Sequence, residues 1–229
     1  MGEMIKIAAA ASDESFAAYL SEPEPASANG KAVVVLQEWW GLVDHIKDVA
    51  DRFAKAGFVA LAPDLYHGES TTNPDDAGRM LMALNIERAA LDLAAAAREL
   101  KRRAGINHRV GVVGFCMGGQ LALLAATAAP EEVGAAVNFY GIHPKVEPDF
   151  SKLSCPVLGL FAENDTSVPK KSVDAMVAAI ESVGKTIEHH IFPGTDHAFF
   201  NDTRPEVYSE TAAADAWART TKFFETHLE

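Results

Sequence analysis

The stretch that most restricts how this chain can fold is residues 108–119, HRVGVVGFCMGG. Val110 to Phe115 is a short apolar run rich in β-branched residues, the composition of a strand buried on both faces. It stops at Gly114-Phe115-Cys116-Met117-Gly118-Gly119, and Gln120 to Ala129 continues as an Ala/Leu run of helical character. A strand entering a helix through Gly-x-Cys-x-Gly predicts a sharp elbow that projects the cysteine sulfur. A Cβ at Gly114 or Gly118 would collide with backbone in so tight a turn, and the cysteine itself must be strained. The sulfur then lies at a helix N-terminus, where unpaired N–H groups and the dipole favour a thiolate. The plainer alternative is a buried cysteine beside glycines that merely pack a helix on a strand. Only partner residues elsewhere in the chain separate the two.

In order, Met4 to Ala8 and Phe16 to Leu20 read as strands, with Ser12-Asp13-Glu14 suited to a hairpin between them. Lys31 to Gln37 is a buried strand that runs into Glu38-Trp39-Trp40-Gly41. Asp44 to Ala56 places Ile46, Val49, Ala50 and Phe53 on one helical face, with Gly57 as its stop. Phe58 to Ala62 is another strand, ended by Pro63-Asp64. Tyr66 to Asp76 is long, polar and without period, the kind of loop that carries function in a compact chain. A helix is predicted over Ala77 to Arg103, with a possible break near Asn85. Beyond the elbow come strands at Gly134 to Tyr140, Pro156 to Phe161 and Thr186 to Phe192, and helices at Ser172 to Val183 and Thr211 to Leu228. Alternating strands and helices, with no repeat and no long Pro/Ser linker, predict a single α/β domain over residues 1–229 with a mostly parallel sheet.

Partners for Cys116 stand just after two later strands. Ala162-Glu163-Asn164-Asp165 follows one, and Gly194-Thr195-Asp196-His197 follows the last. Sites of parallel sheets form beyond the carboxyl ends of the strands, so both loops should reach the Cys116 edge. There His197 would serve as base and acid, with a carboxylate to orient it and stabilise its cation. Asp165 is the first candidate for that carboxylate and Glu163, two residues earlier, its competitor.

Taken together, Gln37-Glu38-Trp39-Trp40-Gly41, Pro63-Asp64-Leu65-Tyr66, the Cys116 elbow, Asp165 and Gly194-Thr195-Asp196-His197-Ala198-Phe199 resemble the dienelactone hydrolase (carboxymethylenebutenolidase) family. The likeness spans nearly the whole chain. It implies an α/β-hydrolase fold, helices on both faces of the sheet, and the nucleophile–acid–histidine order Cys116, Asp165, His197. It further implies a Cys-His-Asp hydrolase that opens an enol-lactone in aromatic degradation, without cofactor or metal. The backbone N–H groups of Trp39 and Met117 would form the oxyanion hole. Glu38 would hold the resting Cys116 as a thiol until substrate displaces it, since one anion disfavours another beside it. Trp40 and Phe199 would line the substrate. The family places an arginine four residues after the histidine for the substrate carboxylate; Asn201 stands there, leaving Arg204 or Arg79 to supply a cation. A broad carboxylesterase or thioesterase, or a binding protein on the same fold, are the rival readings.

Charge bounds the partners. The chain of 229 residues carries 32 Asp and Glu against 20 Lys and Arg, a net charge of -12, which argues against nucleic acid and anionic membranes. A small-molecule ester or lactone is the expected partner. Two cysteines make no disulfide framework, and no secretory core or spanning apolar run is present, so a cytoplasmic location is expected.

Overall fold

The computed structural model describes residues 2–9 and 15–228. One eight-stranded sheet is made by β1 (Glu3–Ala8), β2 (Ser15–Ser21), β3 (Ala32–Leu36), β4 (Val59–Pro63), β5 (Val110–Phe115), β6 (Val133–Phe139), β7 (Val157–Ala162) and β8 (Ile187–Phe192), in the spatial order β1-β2-β4-β3-β5-β6-β7-β8. β2 pairs antiparallel with β1 and with β4, and every pair from β4 to β8 is parallel. The Ser12–Glu14 turn expected between β1 and β2 lies outside the described residues.

The central strands β3, β5 and β6 are buried along their whole length because helices cover both faces. Alternate residues therefore feed two cores. Ala32, Val34 and Leu36 point to the side of α3 (Ile86–Ala104), α4 (Met117–Ala128) and α5 (Lys170–Ser182), in one buried cluster with Leu93, Leu121 and Ile180. Val33 and Val35 point to the side of α1 (Asp44–Lys55) and α6 (Glu210–His227). There Phe53 is fully buried against Phe58, Trp217 and Phe224, a contact whose truncation to Ala costs about 3–5 kcal/mol.

Two stretches depart from the sequence reading. The helix expected over Ala77 to Arg103 is two helices, α2 (Pro74–Ala83) and α3, parted at Leu84-Asn85, where the Asn85 side chain accepts from Arg88 N. The end of the expected 66–76 loop is already the first turn of α2. Asn73 caps it by accepting from Asp75 N at 2.8 Å, and Pro74 takes the first helical position, where its missing N–H costs nothing. Of α2 only Ala77 is buried. α4 begins at Met117, earlier than expected, because packing overrides the low helix propensity of Gly118 and Gly119.

Candidate active site

Cys116 sits between β5 and α4 with φ 55° and ψ −123°, left-handed backbone that a non-glycine residue adopts only at a cost of order 1–3 kcal/mol. The glycines around it permit the turn. A Cβ on Gly114 would lie 1.9 Å from Gly118 O, and one on Gly118 would lie 2.5 Å from Gln37 O. Gly119 is pressed against Asn138, whose Oδ1 would be 2.1 Å from a Cβ there. Asn138 in turn accepts from Gly141 N at 2.7 Å and donates to Gly141 O, closing the turn behind the cysteine. It is the lone amide side chain of β6 and fully buried, a polar residue in an apolar strand that is itself a signal in the sequence.

The contact of Gly118 with the end of β3 brings two backbone donors to the same edge. Trp39 N, in the loop after β3, has no acceptor among the described residues, and Met117 N opens α4. Gln37 holds this loop to the next one by accepting from Leu65 N at 3.1 Å. Tyr66, from that second loop, donates to Met117 Sδ at 3.1 Å, and burial followed by the nearby Cys116 raises its hydroxyl pKa. Tyr66 therefore walls Cys116, a position that the sequence reading does not assign to it.

His197 and Asp165 meet at 2.6 Å, Nδ1 to Oδ2. The other oxygen of Asp165 accepts from Ser167 N and Val168 N, both at 2.8 Å, so the carboxylate is buried and fixed. A backbone bond from Asn164 N to Thr195 O ties the two loops side by side. Glu163 faces away and accepts from Gly194 N, a loop brace without contact to the imidazole. Burial opposes a charge on His197, but the Asp165 hydrogen bond and the hydrogen bond and charge of Cys116 outweigh it, lifting the imidazole to about 10. Its ring thus lies between Asp165 and the sulfur. Among the described residues no three His, Cys, Asp or Glu side chains are placed to hold a metal ion, and no helix is long and apolar enough to cross a membrane.

With a cysteine elbow, a histidine and a buried carboxylate assembled at one sheet edge, likeness to known proteins becomes informative. The dienelactone hydrolase family matches residues 16–228. The chain belongs to that family. A provisionally named carboxymethylenebutenolidase of Aquifex aeolicus is 34% identical over 218 residues, covering 92% of this chain and 93% of that one. Protein usf of Aquifex pyrophilus is 35% identical over 206 residues, 87% of this chain and 89% of its own. The crystal structure of a provisionally named dienelactone hydrolase from Klebsiella pneumoniae superposes with a TM-score of 0.87 at 29% identity, covering 99% of this chain and all of that one. The fold is that of the α/β-hydrolases, and the protein is a hydrolase of carboxylic esters or lactones.

In this dienelactone hydrolase family member the remaining expected site residues divide sharply. Glu38 is buried within reach of the His197 charge, its Oε2 accepting from Asn201 Nδ2 at 2.9 Å. Burial raises its pKa against the opposing pull of His197, Asn201 and Arg204. Asn201, expected to touch substrate, is itself buried and also accepts from Thr203 N and Oγ1, so its amide serves to hold Glu38. Phe199, expected to line the substrate, lies fully inside the aromatic core against Phe192, Phe139 and Tyr140, because the turn at His197 directs the following side chain inward. Arg79 is an exposed residue of α2 paired with Asp76, on a surface groove separate from the cavity that Arg204 lines. Arg204 remains. It bonds Glu206 at 2.9 Å, bears on the charge of Glu38, and lines a cavity of about 750 Å³ with Trp40, Leu42, Thr71 and Asn201.

Proposed function

We propose that this enzyme, acting as a single α/β domain, cleaves small-molecule lactones or esters through Cys116, His197 and Asp165 by way of a thioester acyl-enzyme. The observation that carries the reading is the 2.6 Å contact between His197 and the pinned Asp165, with Cys116 presented to the same imidazole from a strained elbow. Cys116, as thiolate, attacks the carbonyl carbon, and the π electrons pass to oxygen, where Trp39 and Met117 N–H groups receive the charge. Collapse of this adduct breaks the C–O bond, and the leaving oxygen takes a proton from the His197 imidazolium. The neutral imidazole then takes a proton from water as it attacks the thioester, and the thiolate departs. Asp165 holds the productive tautomer throughout.

Glu38 restrains the resting sulfur in this scheme, and the cavity lined by Trp40, Arg204 and Asn201, the last of which bonds Glu38, receives the group beyond the scissile bond. Two free cysteines suit the reducing cytoplasm. The test is hydrolysis of dienelactones, simple lactones, p-nitrophenyl esters and thioesters by the wild type and by Cys116→Ala, with mass spectrometry of the acylated enzyme. Turnover should vanish in the variant, and an acyl adduct should map to Cys116. Unchanged turnover without that cysteine would overturn the reading.

A further inference from the structure

The buried polar atoms without a hydrogen-bond partner among the described residues include Oη of Tyr140 and Oε1 of Glu38. The sheet brings these two to opposite sides of the nucleophile. β3, β5 and β6 are neighbours in that order, and Glu38, Cys116 and Tyr140 stand just past their respective carboxyl ends. Buried donors and acceptors are almost always paired, because an unmet one carries its full desolvation cost. Two of them at one reacting centre call for a reason.

Tyr140 is held there at further cost. Its φ of 39° is left-handed backbone, unfavourable for a bulky residue. The bonds Tyr140 N to Leu160 O at 2.8 Å and Gly141 N to Asn138 Oδ1 at 2.7 Å enforce it. The ring stands edge-on to His197 with centroids 5.1 Å apart and packs on Phe115, Phe139 and Phe199. A phenylalanine would fill that space without leaving an unmet hydroxyl. The charges of Glu38, Cys116, Arg204 and Asp165 all bear on the phenol, and those of His197 and Arg204 on Glu38. Burial first and Glu38 second push the phenol pKa up, so at working pH it is a donor. Glu38, whose charge bears on that phenol, is the acceptor with a vacant oxygen.

We propose that Tyr140 is a positioning residue for Glu38: during turnover its hydroxyl donates to Oε1 while Asn201 keeps Oε2, clamping the carboxylate clear of the Cys116–His197 pair. This rests on the triad reading above. A hydrogen bond to a carboxylate is about twice as strong as one between neutral groups, and a second donor favours the charged form of Glu38 over the neutral form that burial favours. In this role no atom of Tyr140 touches substrate.

The experiment is Tyr140→Phe, which keeps the ring and removes one oxygen. Measured are kcat and KM on the best ester of the panel, the pH profile of kcat/KM, the pH profile of Cys116 alkylation by iodoacetamide, and Tm. We expect kcat to fall about tenfold with KM nearly unchanged, as one lost charge-assisted bond made only in turnover implies. Both pH profiles should shift, and Tm should hold or rise because an unmet buried hydroxyl has gone. In a Glu38→Ala background the same change should have no further effect on kcat. Unchanged kinetics and profiles in Tyr140→Phe overturn the proposal. So does a joint fall of Tm and activity with unmoved pH profiles, which marks a structural hydroxyl, and so does an equal further loss in the Glu38→Ala background. The alkylation arm needs no substrate. A wild type that hydrolyses nothing therefore sinks the triad reading separately, while alkylation still decides for or against Tyr140.

Discussion

Asp165→Asn replaces an acceptor-only group with an amide that must choose an orientation. Turned with its NH2 toward Ser167 N and Val168 N, it would strand two backbone donors that Asp165 now meets at 2.8 Å each, a cost of about 1–3 kcal/mol apiece. The amide oxygen therefore stays on those donors and the NH2 faces His197 Nδ1 across the present 2.6 Å contact. Nδ1 must then accept, the ring proton moves to Nε2, and the nitrogen needed as base is blocked. Loss of tautomer control at a triad of this kind costs about 10⁴-fold in kcat, which is about 5.4 kcal/mol at 1.36 kcal/mol per tenfold. The assay is p-nitrophenyl ester hydrolysis at neutral pH, with circular dichroism as the check on folding. Glu163→Gln is the control and should stay near wild-type rate, because Glu163 only braces Gly194 N. Activity of Asp165→Asn within tenfold of wild type, or a larger loss in Glu163→Gln, would refute the assignment. The same variant reports on pH. His197 rises from an ordinary 6.5 to about 10 in the fold, so its charge contributes stability that is whole below pH 6.5 and lost as pH climbs to 10. The wild type should lose Tm across that window, and Asp165→Asn should lose much less.

Three other outcomes follow from particular contacts. Iodoacetamide should modify Cys116 in preference to Cys155, whose thiol is pushed up to about 11 by burial despite Arg109; peptide mapping after partial labelling checks this. His45 is buried with its Nδ1 3.5 Å from Asp202, too distant for a hydrogen bond, and burial presses its pKa down to about 4. A group depressed from 6.5 to about 4 costs stability as pH falls through that range, about 3 kcal/mol in full, so the acid limb of a urea-melt series should flatten in His45→Phe. Gly114→Ala puts a methyl 1.9 Å from Gly118 O, an overlap of backbone that no rotamer relieves. It should cost at least about 3 kcal/mol or abolish soluble expression, as read by thermal melts of whatever folds.

The elbow was legible in the sequence because its requirements are local. Glycines two residues either side of Cys116, a β-branched run before it and an Ala/Leu run after it meet all the conditions of a sharp strand-to-helix turn. The parallel sheet was legible for a similar reason, since fully apolar strands alternating with one-sided helices have few other ways to bury their surface. Even the start of α2 was written locally, in Asn73-Pro74, where the polar composition of the stretch suggested a loop instead. Tertiary structure alone decided what the loop side chains do. Along the chain Asp165 is the first candidate and Glu163, two residues earlier, its competitor; only the folded loops, tied by the bond from Asn164 N to Thr195 O, show which one faces His197. Asn201, which lines the Trp40–Arg204 cavity, also holds Glu38, a partner 163 residues away, and nothing local in the sequence shows that bond. Phe199 turned from site wall to core, and Tyr140 emerged beside the histidine without any motif to mark it. Backbone conformation depends on neighbours a few residues off, whereas the direction of a loop side chain depends on what distant strands bring against it, and that is fixed only when the sheet closes.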